Sequence, residues 1–518
     1  MANRSLFASS QGRLVPQSDC INQSGAPAYD LVAPHKLAQL AMTGTFGGGY
    51  YRDAASQMRE LIALAQKVSP EFLARAAVHV RERGYMKDTP CLLLAVLSLR
   101  DPALFARAFA RIVTNGKMLR NFVQIMRSGQ VGRKSLGSRP KGLVQDWLNG
   151  ATDTQLLSAS VGQSPSLADV IRMVHPHPRN PGREAFYAWL IGRPAETALL
   201  PENVQALLAF RSGQSDILPD VPFQLLGSLN LTPAHWEQVA RRATWQTLRQ
   251  GLNMLTRNGA FGNAETVTHV AAVLRDPERI RAAKAMPYQL MATLRALSPD
   301  VDPALADALH DAMELAVANV PRIAGRVVIC PDVSGSMSSP VTGYRLGATT
   351  TVRCIDVAAL VAAALKRTNR DALVLPFEQR VCDVVLEPRD TIMTNATRLA
   401  AIGGGGTDCA APLARLNEKG GRADLVVFIS DNESWMRVDA NARGTALMRE
   451  WETLKRRCPG ARLVCIDIQP YGTSQASERE DILNIGGFSD AVFDQMAAFA
   501  SGEVGAAYWV QQIEREVL

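Results

Sequence analysis

The sequence predicts a multidomain α and α/β protein, with an α-helical domain over residues 1–320 and a doubly wound α/β domain over residues 321–518. Three observations support this fold class. Helix starts of one type recur through the first part, and strands alternate with helices in the second. An Asp-x-Ser-x-Ser pattern follows the first of these strands. At 518 residues, the chain is long enough for two or more domains with separate cores.

Helices of the first part are marked by a Ser, Thr or Asp followed by Pro. The side-chain oxygen of the first residue caps the helix, and the proline presets φ at the first helical position. The stretches behind these pairs carry apolar residues at three- and four-residue steps, which is typical of amphipathic helices. Such a series of short helices favours an α-solenoid over a single bundle. The pairs are Ser69-Pro70, Asp101-Pro102, Thr232-Pro233, Asp276-Pro277 and Asp302-Pro303.

After residue 320, apolar strands alternate with helices. Strand-like runs include "RVVICPDVS", "ADLVVFISDNES" and "ARLVCIDIQP". Buried apolar strands separated by helices indicate a mainly parallel sheet with helices on both faces. Ligands bind such sheets beyond the carboxyl ends of the strands. Asp332 and Asp431 each stand at such an end.

Five residues form a candidate site for a divalent cation. Alternate side chains of a strand share a face, so Asp332, Ser334 and Ser336 can converge beyond its end. The glycine loop "GGGGTDC" can bring Thr407 close to them, and Asp431 follows a later strand. These oxygen ligands suit Mg²⁺, or Mn²⁺, with a partner's carboxylate as a further ligand. Alternatively, "DVSGSM" is a plain strand-to-helix turn and Thr407 is a helix N-cap.

The positive charge of the chain is concentrated in its first part. Residues 1–320 contain 34 Lys and Arg against 25 Asp and Glu, whereas residues 321–518 contain 22 against 24. No acidic residue occurs from position 107 to 141, so a polyanion can supply the missing counter-charge. The alternative is a solvated basic face. The residues of this stretch that we predict to contact such a polyanion, with RNA among the candidates, are Arg107, Arg111, Lys117, Arg120, Arg127, Arg133, Lys134, Arg139 and Lys141.

Several other classes of protein are disfavoured. The N-terminal residues lack the apolar run of a signal peptide, and the most apolar segments are too short to span a bilayer, so we expect a cytoplasmic protein. The eight cysteines include no C-x-x-C pair, so neither a zinc site nor a disulfide framework is indicated. The cation site lacks the carboxylates of a two-metal nuclease, and we predict no enzymatic activity.

Motifs along nearly the whole chain resemble those of the Ro autoantigen family. In the first part these are "MRSGQVGRKSLGSRPKGLVQDWL", "SLADVIRMVHPHP" and "TWQTLRQGLNMLTRNG". "TGTFGGGYYRD", at residues 43–53, resembles that family's entry to its helical module. In the second part, "DVSGSM", "GGGGTD" and "ISDNES" also resemble the metal-ion-dependent adhesion site of von Willebrand factor A domains.

The resemblance implies a ring of HEAT-like helical repeats, the TROVE module, whose ends are bridged by a Rossmann-like von Willebrand A domain. It implies a ribonucleoprotein that takes single-stranded 3′ ends of misfolded non-coding RNA into the ring cavity and binds a small structured Y RNA on its outer surface. The residues that fall in motifs of the RNA-binding region are Arg133, Lys134, Arg139, Lys141, Arg172 and His175.

The family's partners follow from the same resemblance. It implies RNA quality control and maturation together with an exoribonuclease such as polynucleotide phosphorylase, and we expect a monomer in protein terms. A competing hypothesis belongs to another class. It is a von Willebrand A-containing scaffold, such as a chelatase subunit or an adhesion module, that binds protein and no RNA.

Overall fold

The computed structural model describes residues 15–518 except 44–45, 47–50, 179, 284, 286, 318–319, 342, 344–351, 437–442, 488–490 and 506. Its contacts group the chain into two compact units. The first unit comprises Met1–Arg59, Val273–Leu297 and Leu305–Gln512. The second comprises Glu60–Ala272, Ser298–Ala304 and Ile513–Leu518. The boundary between the helical and the α/β domain, predicted between residues 320 and 321, stays a prediction.

The described N-terminal segment contains two short strands and two helices. These are β1 (Cys20–Ile21), β2 (Pro27–Asp30), α1 (Ala33–Thr43) and α2 (Ala54–Lys67). β1 and β2 pair antiparallel. The boundary between the two units falls within α2, so everything before that point belongs to the first unit.

Short helices in series make up most of the second unit. They are α3 (Pro70–Glu82), α4 (Asp88–Arg100), α5 (Pro102–Ile112), α6 (Gly116–Arg127), α7 (Ser138–Gly150), α8 (Asp153–Ala159), α9 (Leu167–Val174), α10 (Pro181–Leu190), α11 (Glu202–Arg211), α12 (Phe223–Leu226), α13 (Pro233–Arg242), α14 (Trp245–Arg257) and α15 (Ala264–Arg275). The five predicted caps are confirmed along the chain. Each accepts a hydrogen bond from a backbone N–H of the following turn, and they are Ser69, Asp101, Thr232, Asp276 and Asp302.

The core at the start of this unit centres on α4 and three phenylalanines. Every residue of α4 from Thr89 to Ser98 is buried, in agreement with the apolar run from Cys91 to Leu97, since a helix that is apolar all round must be enclosed. The rings of Phe105, Phe109 and Phe122 lie 5.4 to 5.8 Å apart, in stacked and edge-to-face pairs. Within the described residues, no helix combines the length and apolarity needed to cross a membrane.

A parallel sheet forms the centre of the first unit, as predicted. Its strands are β3 (Val327–Pro331), β4 (Leu373–Val374), β5 (Leu425–Ser430), β6 (Arg462–Asp467) and, after the short β7 (Thr473–Ser474), β8 (Ile482–Gly486). They lie in the order β4-β3-β5-β6-β8, with each neighbouring pair parallel. The remaining helices are α16 (Pro277–Ala282), α17 (Pro287–Arg295), α18 (Pro303–Val317), α19 (Cys354–Thr368), α20 (Ile392–Ala400), α21 (Ala411–Glu418), α22 (Ala446–Arg457), α23 (Ala491–Ser501) and α24 (Tyr508–Glu514).

Neighbouring positions in the sheet explain why the two predicted aspartates meet. Every residue of β3 and β5 is buried, and α19 packs against both strands. Their register pairs Pro331 with Ile429, so the residues that follow each strand emerge side by side. The carboxyl edge of the sheet therefore carries the ends of β3 and β5 next to each other.

The N-terminal segment packs beside the β8 edge of this sheet. β2 pairs with β7, and α1 lies against β8. The amide of Gln39 donates to the carbonyl oxygen of Asn484 at 3.4 Å, and His35 Nε2 lies 3.2 Å from the same oxygen. α1 approaches β8 closely, because a Cβ on Gly486 would lie 2.5 Å from the Cβ of Gln39. Only glycine fits at this point of β8 without movement of α1.

This packing predicts that Gly486→Ala lowers the free energy of unfolding by about 2 kcal/mol, because the added methyl overpacks the contact between α1 and β8. Gly460→Ala is the matched control, since a Cβ there meets no heavy atom within 4 Å. Urea denaturation of both variants measures the difference. Equal midpoints for the two variants would show that α1 does not pack tightly on β8.

Candidate metal centre and basic surfaces

The adjacent ends of β3 and β5 bring Asp332 and Asp431 together. Asp332 continues the ladder, since its N–H donates to the carbonyl oxygen of Ile429 at 2.9 Å. One carboxylate oxygen of Asp332 accepts a 2.6 Å hydrogen bond from the hydroxyl of Ser430, which immediately precedes Asp431. Both aspartates are buried, with 0% and 4% of their surface exposed.

The two serines of the Asp-x-Ser-x-Ser pattern complete this cluster. The N–H of Ser334 donates to the other carboxylate oxygen of Asp332 at 2.8 Å, which folds the loop back over the strand end. The hydroxyls of Ser334 and Ser336 lie 3.4 Å apart, and Ser336 hydrogen-bonds the carboxylate of Asp431. The structure therefore brings four of the five predicted residues together.

The fifth residue, Thr407, is held beside them by the glycine loop. Gly404 N–H donates to the carbonyl of Val333 at 2.9 Å, and Gly335 N–H donates to the carbonyl of Gly405 at 3.1 Å. The carbonyl of Thr407 accepts the N–H of Trp435 at 3.1 Å, just after Asp431 in the chain. Thr407 is 1% exposed, so this loop is packed between the ends of the two strands.

Burial and like charge dominate the electrostatics of the cluster. Burial, followed by the nearby Asp431, raises the pKa of Asp332 to about 7. Burial also raises the pKa of Asp431. Two buried carboxylates that repel each other favour a cation between them. The donors are carboxylate and hydroxyl oxygens, which Mg²⁺ and Mn²⁺ prefer, and the hydrogen bonds to Asp332 orient it as outer-shell partners orient a metal ligand. The residues therefore fit such an ion.

The described residues contain no group of three or more His, Cys, Asp and Glu placed to hold a metal ion. The candidate set is of a different kind, because it has two carboxylates and three hydroxyls. A zinc site, which takes nitrogen and sulfur ligands, does not match these donors.

Sequence patterns did not reveal a tyrosine beside this cluster. The hydroxyl of Tyr51 hydrogen-bonds Ser336, and burial, followed by Asp431, raises the pKa of Tyr51 to about 12. The Tyr51 ring meets Tyr471 edge to face, with centroids 5.4 Å apart. Tyr51 belongs to the "TGTFGGGYYRD" stretch, in which residues 44–45 and 47–50 lie outside the described residues. Its place in the first unit depends on a contact between distant parts of the chain, for which the sequence holds no local signal.

The predicted RNA-binding residues fall into three groups in the second unit, and the first group contacts the C-terminal segment. Arg107 donates to the carbonyl oxygen of Leu518 at 2.9 Å. Arg111 donates to the carbonyl of Val517 and forms a two-point ion pair with Glu82, at 2.6 and 2.8 Å. The charge of Arg111 is therefore compensated within the chain.

The second group, Lys117 and Arg120, lies on the first turns of α6. One guanidinium nitrogen of Arg120 donates to the carbonyl of Val161 at 2.8 Å, and burial lowers the Arg120 pKa. Lys117 is exposed. Neither residue has an ion pair in the described part of the chain.

The third group surrounds the loop between α6 and α7 and the end of α9. Gln145, one helical turn after Lys141, donates to the carbonyls of Val174 and His175 at 2.6 and 3.1 Å, which ties α7 to the end of α9. His175 is exposed in a left-handed conformation, with φ of 49°. Arg172 is exposed but lies 3.6 Å from Asp169. The other members, all exposed or half-buried, are Arg127, Arg133, Lys134 and Arg139.

The geometry predicts that Asp332→Asn abolishes binding of Mg²⁺ and Mn²⁺, because the amide removes a charged ligand without changing the shape of the side chain. Isothermal titration calorimetry measures the binding. The control is Asp424→Asn, which removes a carboxylate that precedes β5 and pairs with Arg326 at 2.8 Å. Equal metal affinity in wild type and Asp332→Asn would refute the site.

The raised pKa predicts a second, metal-free effect of Asp332→Asn. Because the folded pKa, about 7, lies above the unfolded value of 3.8, this carboxyl stabilises the fold at low pH and loses that effect as the pH rises through 7. From pH 4 to pH 8 in chelator, the difference in free energy of unfolding should shift in favour of the variant by on the order of 3 kcal/mol. Denaturant titration at each pH measures this shift, and parallel curves would contradict it.

Comparisons with known proteins agree with this architecture. Residues 326–500 match the family model of the Ro60 vWA domain. The RNA-binding protein RO60 of Deinococcus radiodurans is 24% identical over 526 residues, which cover 93% of this chain and 95% of that protein. The RNA-binding protein RO60 of Caenorhabditis elegans is 23% identical over 272 residues, covering 49% of this chain and 40% of that protein.

The fold itself is also matched by a solved structure. The crystal structure of the Deinococcus radiodurans RO (RSR) protein superposes with a TM-score of 0.61 at 20% identity, covering 91% of this chain and all of the other. The predicted fold class is thus confirmed, with serial α-helices and a doubly wound von Willebrand A-type sheet. Residues 326–500 are thus similar to a Ro60-type von Willebrand A domain, and 93% of the chain is similar in sequence to a protein of the Ro type.

Proposed function

We propose that this chain is an RNA-binding protein and the protein component of a ribonucleoprotein. One observation carries the proposal. Seven cationic side chains on α6, on α7 and in the loop that joins them have no ion-pair partner among the residues that the structure describes. They are Lys117, Arg120, Arg127, Arg133, Lys134, Arg139 and Lys141. The names of the two relatives, both RNA-binding proteins, support the same conclusion.

Other arginines of the chain contrast with this set. Arg281 lies 2.7 Å from Glu278, Arg279 lies 3.3 Å from Asp276, and Arg241 pairs with Glu237 at 3.3 Å. Cations that neutralise local acids add little to an external field, whereas cations without partners repel one another and attract a polyanion. RNA phosphates supply the missing counter-charge in a sequence-independent way.

The finer part of the proposal concerns which RNA binds where. The exposed surface of the third group, from Arg127 to His175, binds a small structured RNA of the Y type. Single-stranded 3′ ends of misfolded non-coding RNA enter the cavity of the helical ring. The bound RNA links the protein to an exoribonuclease, such as polynucleotide phosphorylase, for quality control and maturation in the cytoplasm. The protein itself binds and does not catalyse.

The candidate metal centre contributes a second binding function. Asp332, Ser334, Ser336, Thr407 and Asp431 would hold Mg²⁺ or Mn²⁺. Because the five side chains supply at most five ligand oxygens when each binds once, an octahedral ion would keep a sixth position for a partner's carboxylate. Asp332 and Asp431 supply the charge that holds the ion, while Ser430 and the Ser334 N–H fix the orientation of Asp332.

A protein-binding scaffold is the second candidate, and one observation favours it. Trp435 and Met436 are 45% and 38% exposed, although both are large and apolar. Their N–H groups donate to the carbonyl of Thr407, so they stand beside the candidate metal centre. Exposed aromatic and Met side chains are enriched in protein interfaces. This surface is compatible with RNA binding by the other unit.

The RNA proposal predicts that reversing the charge of Arg133, Lys134 and Lys141 to Glu removes a small structured RNA that co-purifies with the wild type. In filter binding, affinity should fall at least tenfold, and the slope of log K against log salt should become shallower by about 0.9 for each phosphate that the variant no longer neutralises. The matched control reverses Arg279 and Arg281, which are already paired with acids. Recovery of a protein and no RNA with the wild type would favour the scaffold instead.

A further inference from the structure

A cavity of about 540 Å³ lies between the start of α6 and α8 in the second unit. This volume lies within the range of about 300–1,000 Å³ that is typical of ligand sites. α12 contributes Gln224 to one side. Further lining residues from α6 and α8 include Lys117, Arg120, Thr154, Gln155, Ser158 and Ala159.

The cavity depends on a close contact between two helices. A Cβ on Gly116 would lie 2.0 Å from the Cβ of Ala159, so α6 can begin against α8 only because residue 116 is glycine. This contact fixes the first turn of α6, and with it Lys117 and Arg120, against the polar face of α8 that carries Thr154 and Ser158.

Among the described residues that line the cavity, two are cationic and none is acidic. Arg120 is half-buried and held in place by its 2.8 Å hydrogen bond to the Val161 carbonyl. A half-buried guanidinium without a carboxylate partner in the described part of the chain is costly unless an anion joins it. Nearby, burial and then the charges of Lys117 and Arg81 lower the pKa of Lys87.

The remaining side chains of the lining are neutral hydrogen-bonding groups. Thr154 and Ser158 offer hydroxyls, and Gln155 and Gln224 offer amides; all four are exposed. Gln155 is oriented by its capping interaction, in which its side-chain oxygen accepts the N–H of Thr152 at 2.9 Å. Such groups pair with sugar hydroxyls and base edges, whereas the two cations pair with phosphate.

We propose that this cavity binds one unpaired nucleotide of single-stranded RNA, with its phosphate between Lys117 and Arg120 and its nucleoside against the hydroxyls and amides. The site rests on the proposed RNA-binding function and adds a defined position for an unpaired residue. It is separate from the surface of the third group, so structured RNA and a single strand occupy different places on the same unit.

Binding of a fluorescent ten-nucleotide oligouridylate to the full-length protein tests the site by anisotropy. Lys117→Ala should weaken binding about three- to tenfold and reduce the salt slope by about 0.7, as expected when one phosphate of a single strand is no longer neutralised. Ser158→Glu should weaken it further, because it places a negative charge in the cavity. Lys67→Ala is the matched control, since it removes an exposed lysine from α2 in the same unit. Melting curves verify that each variant is folded.

Each outcome separates the site from the broader proposal. If the wild type binds the oligomer and both cavity variants bind it equally well, the cavity proposal is wrong while RNA binding stands. If the wild type binds no RNA at all, the proposed function itself fails. If uridine monophosphate or inorganic phosphate competes as well as the oligomer at equal phosphate concentration, the ligand is a free nucleotide or phosphate, which overturns the RNA assignment of the cavity.

Hydrogen exchange gives a readout that does not depend on affinity. With oligouridylate bound, peptides that cover residues 115–120 and 154–158 should exchange more slowly, because the ligand shields the first turn of α6 and the facing residues of α8. In Ser158→Glu, oligouridylate should leave the exchange rates of these peptides unchanged. Protection confined to residues 127–141 would place the single strand on the surface of the third group and refute the cavity as its site.

Discussion

The parallel pairing of β3 with β5 is the constraint on which the candidate metal centre depends. Because the two strands are neighbours in register, the residues after them emerge at one edge, and Asp332 and Asp431 are forced together in a buried position. Like charges in such a place are unfavourable without a cation. The hydrophobic burial of both strands and of α19 offsets this cost, so the sheet holds a constellation that would be unstable on a free loop.

The basic residues of the second unit differ in whether they form ion pairs. This difference is more informative than the number of basic residues. Arg111 is paired with Glu82, whereas the described residues offer no acid to the cations from Lys117 to Lys141. Both kinds carry the same formal charge. Only the second kind would gain a counter-ion when a polyanion binds, and this gain, together with the release of condensed cations from RNA, would drive the proposed RNA binding.

Local rules made much of the fold and of the candidate metal centre's geometry predictable. A capping oxygen followed by proline acts within one helical turn, so all five such helix starts follow from the sequence. Strand alternation likewise locates Asp332 and Ser334. By contrast, the contact of Tyr51 with Ser336 and the cavity formed by Arg120 and Ser158 depend on the packing of segments far apart in the chain. No periodicity encodes such contacts.

The C-terminal segment explains why Arg107 and Arg111 differ from the cations that follow them. Arg75, Arg107 and Arg111 each donate to a carbonyl oxygen of residues 514–518, and Glu516 lies 3.6 Å from Arg111 and 3.0 Å from His79. The chain therefore supplies both the acceptors and the negative charge that a nucleic-acid strand would offer here. RNA would have to displace this segment to reach these arginines, at the cost of those bonds. Lys117 and Arg120, one helix further on, require no such displacement, so under the proposed function the field that would attract RNA to this unit begins at α6.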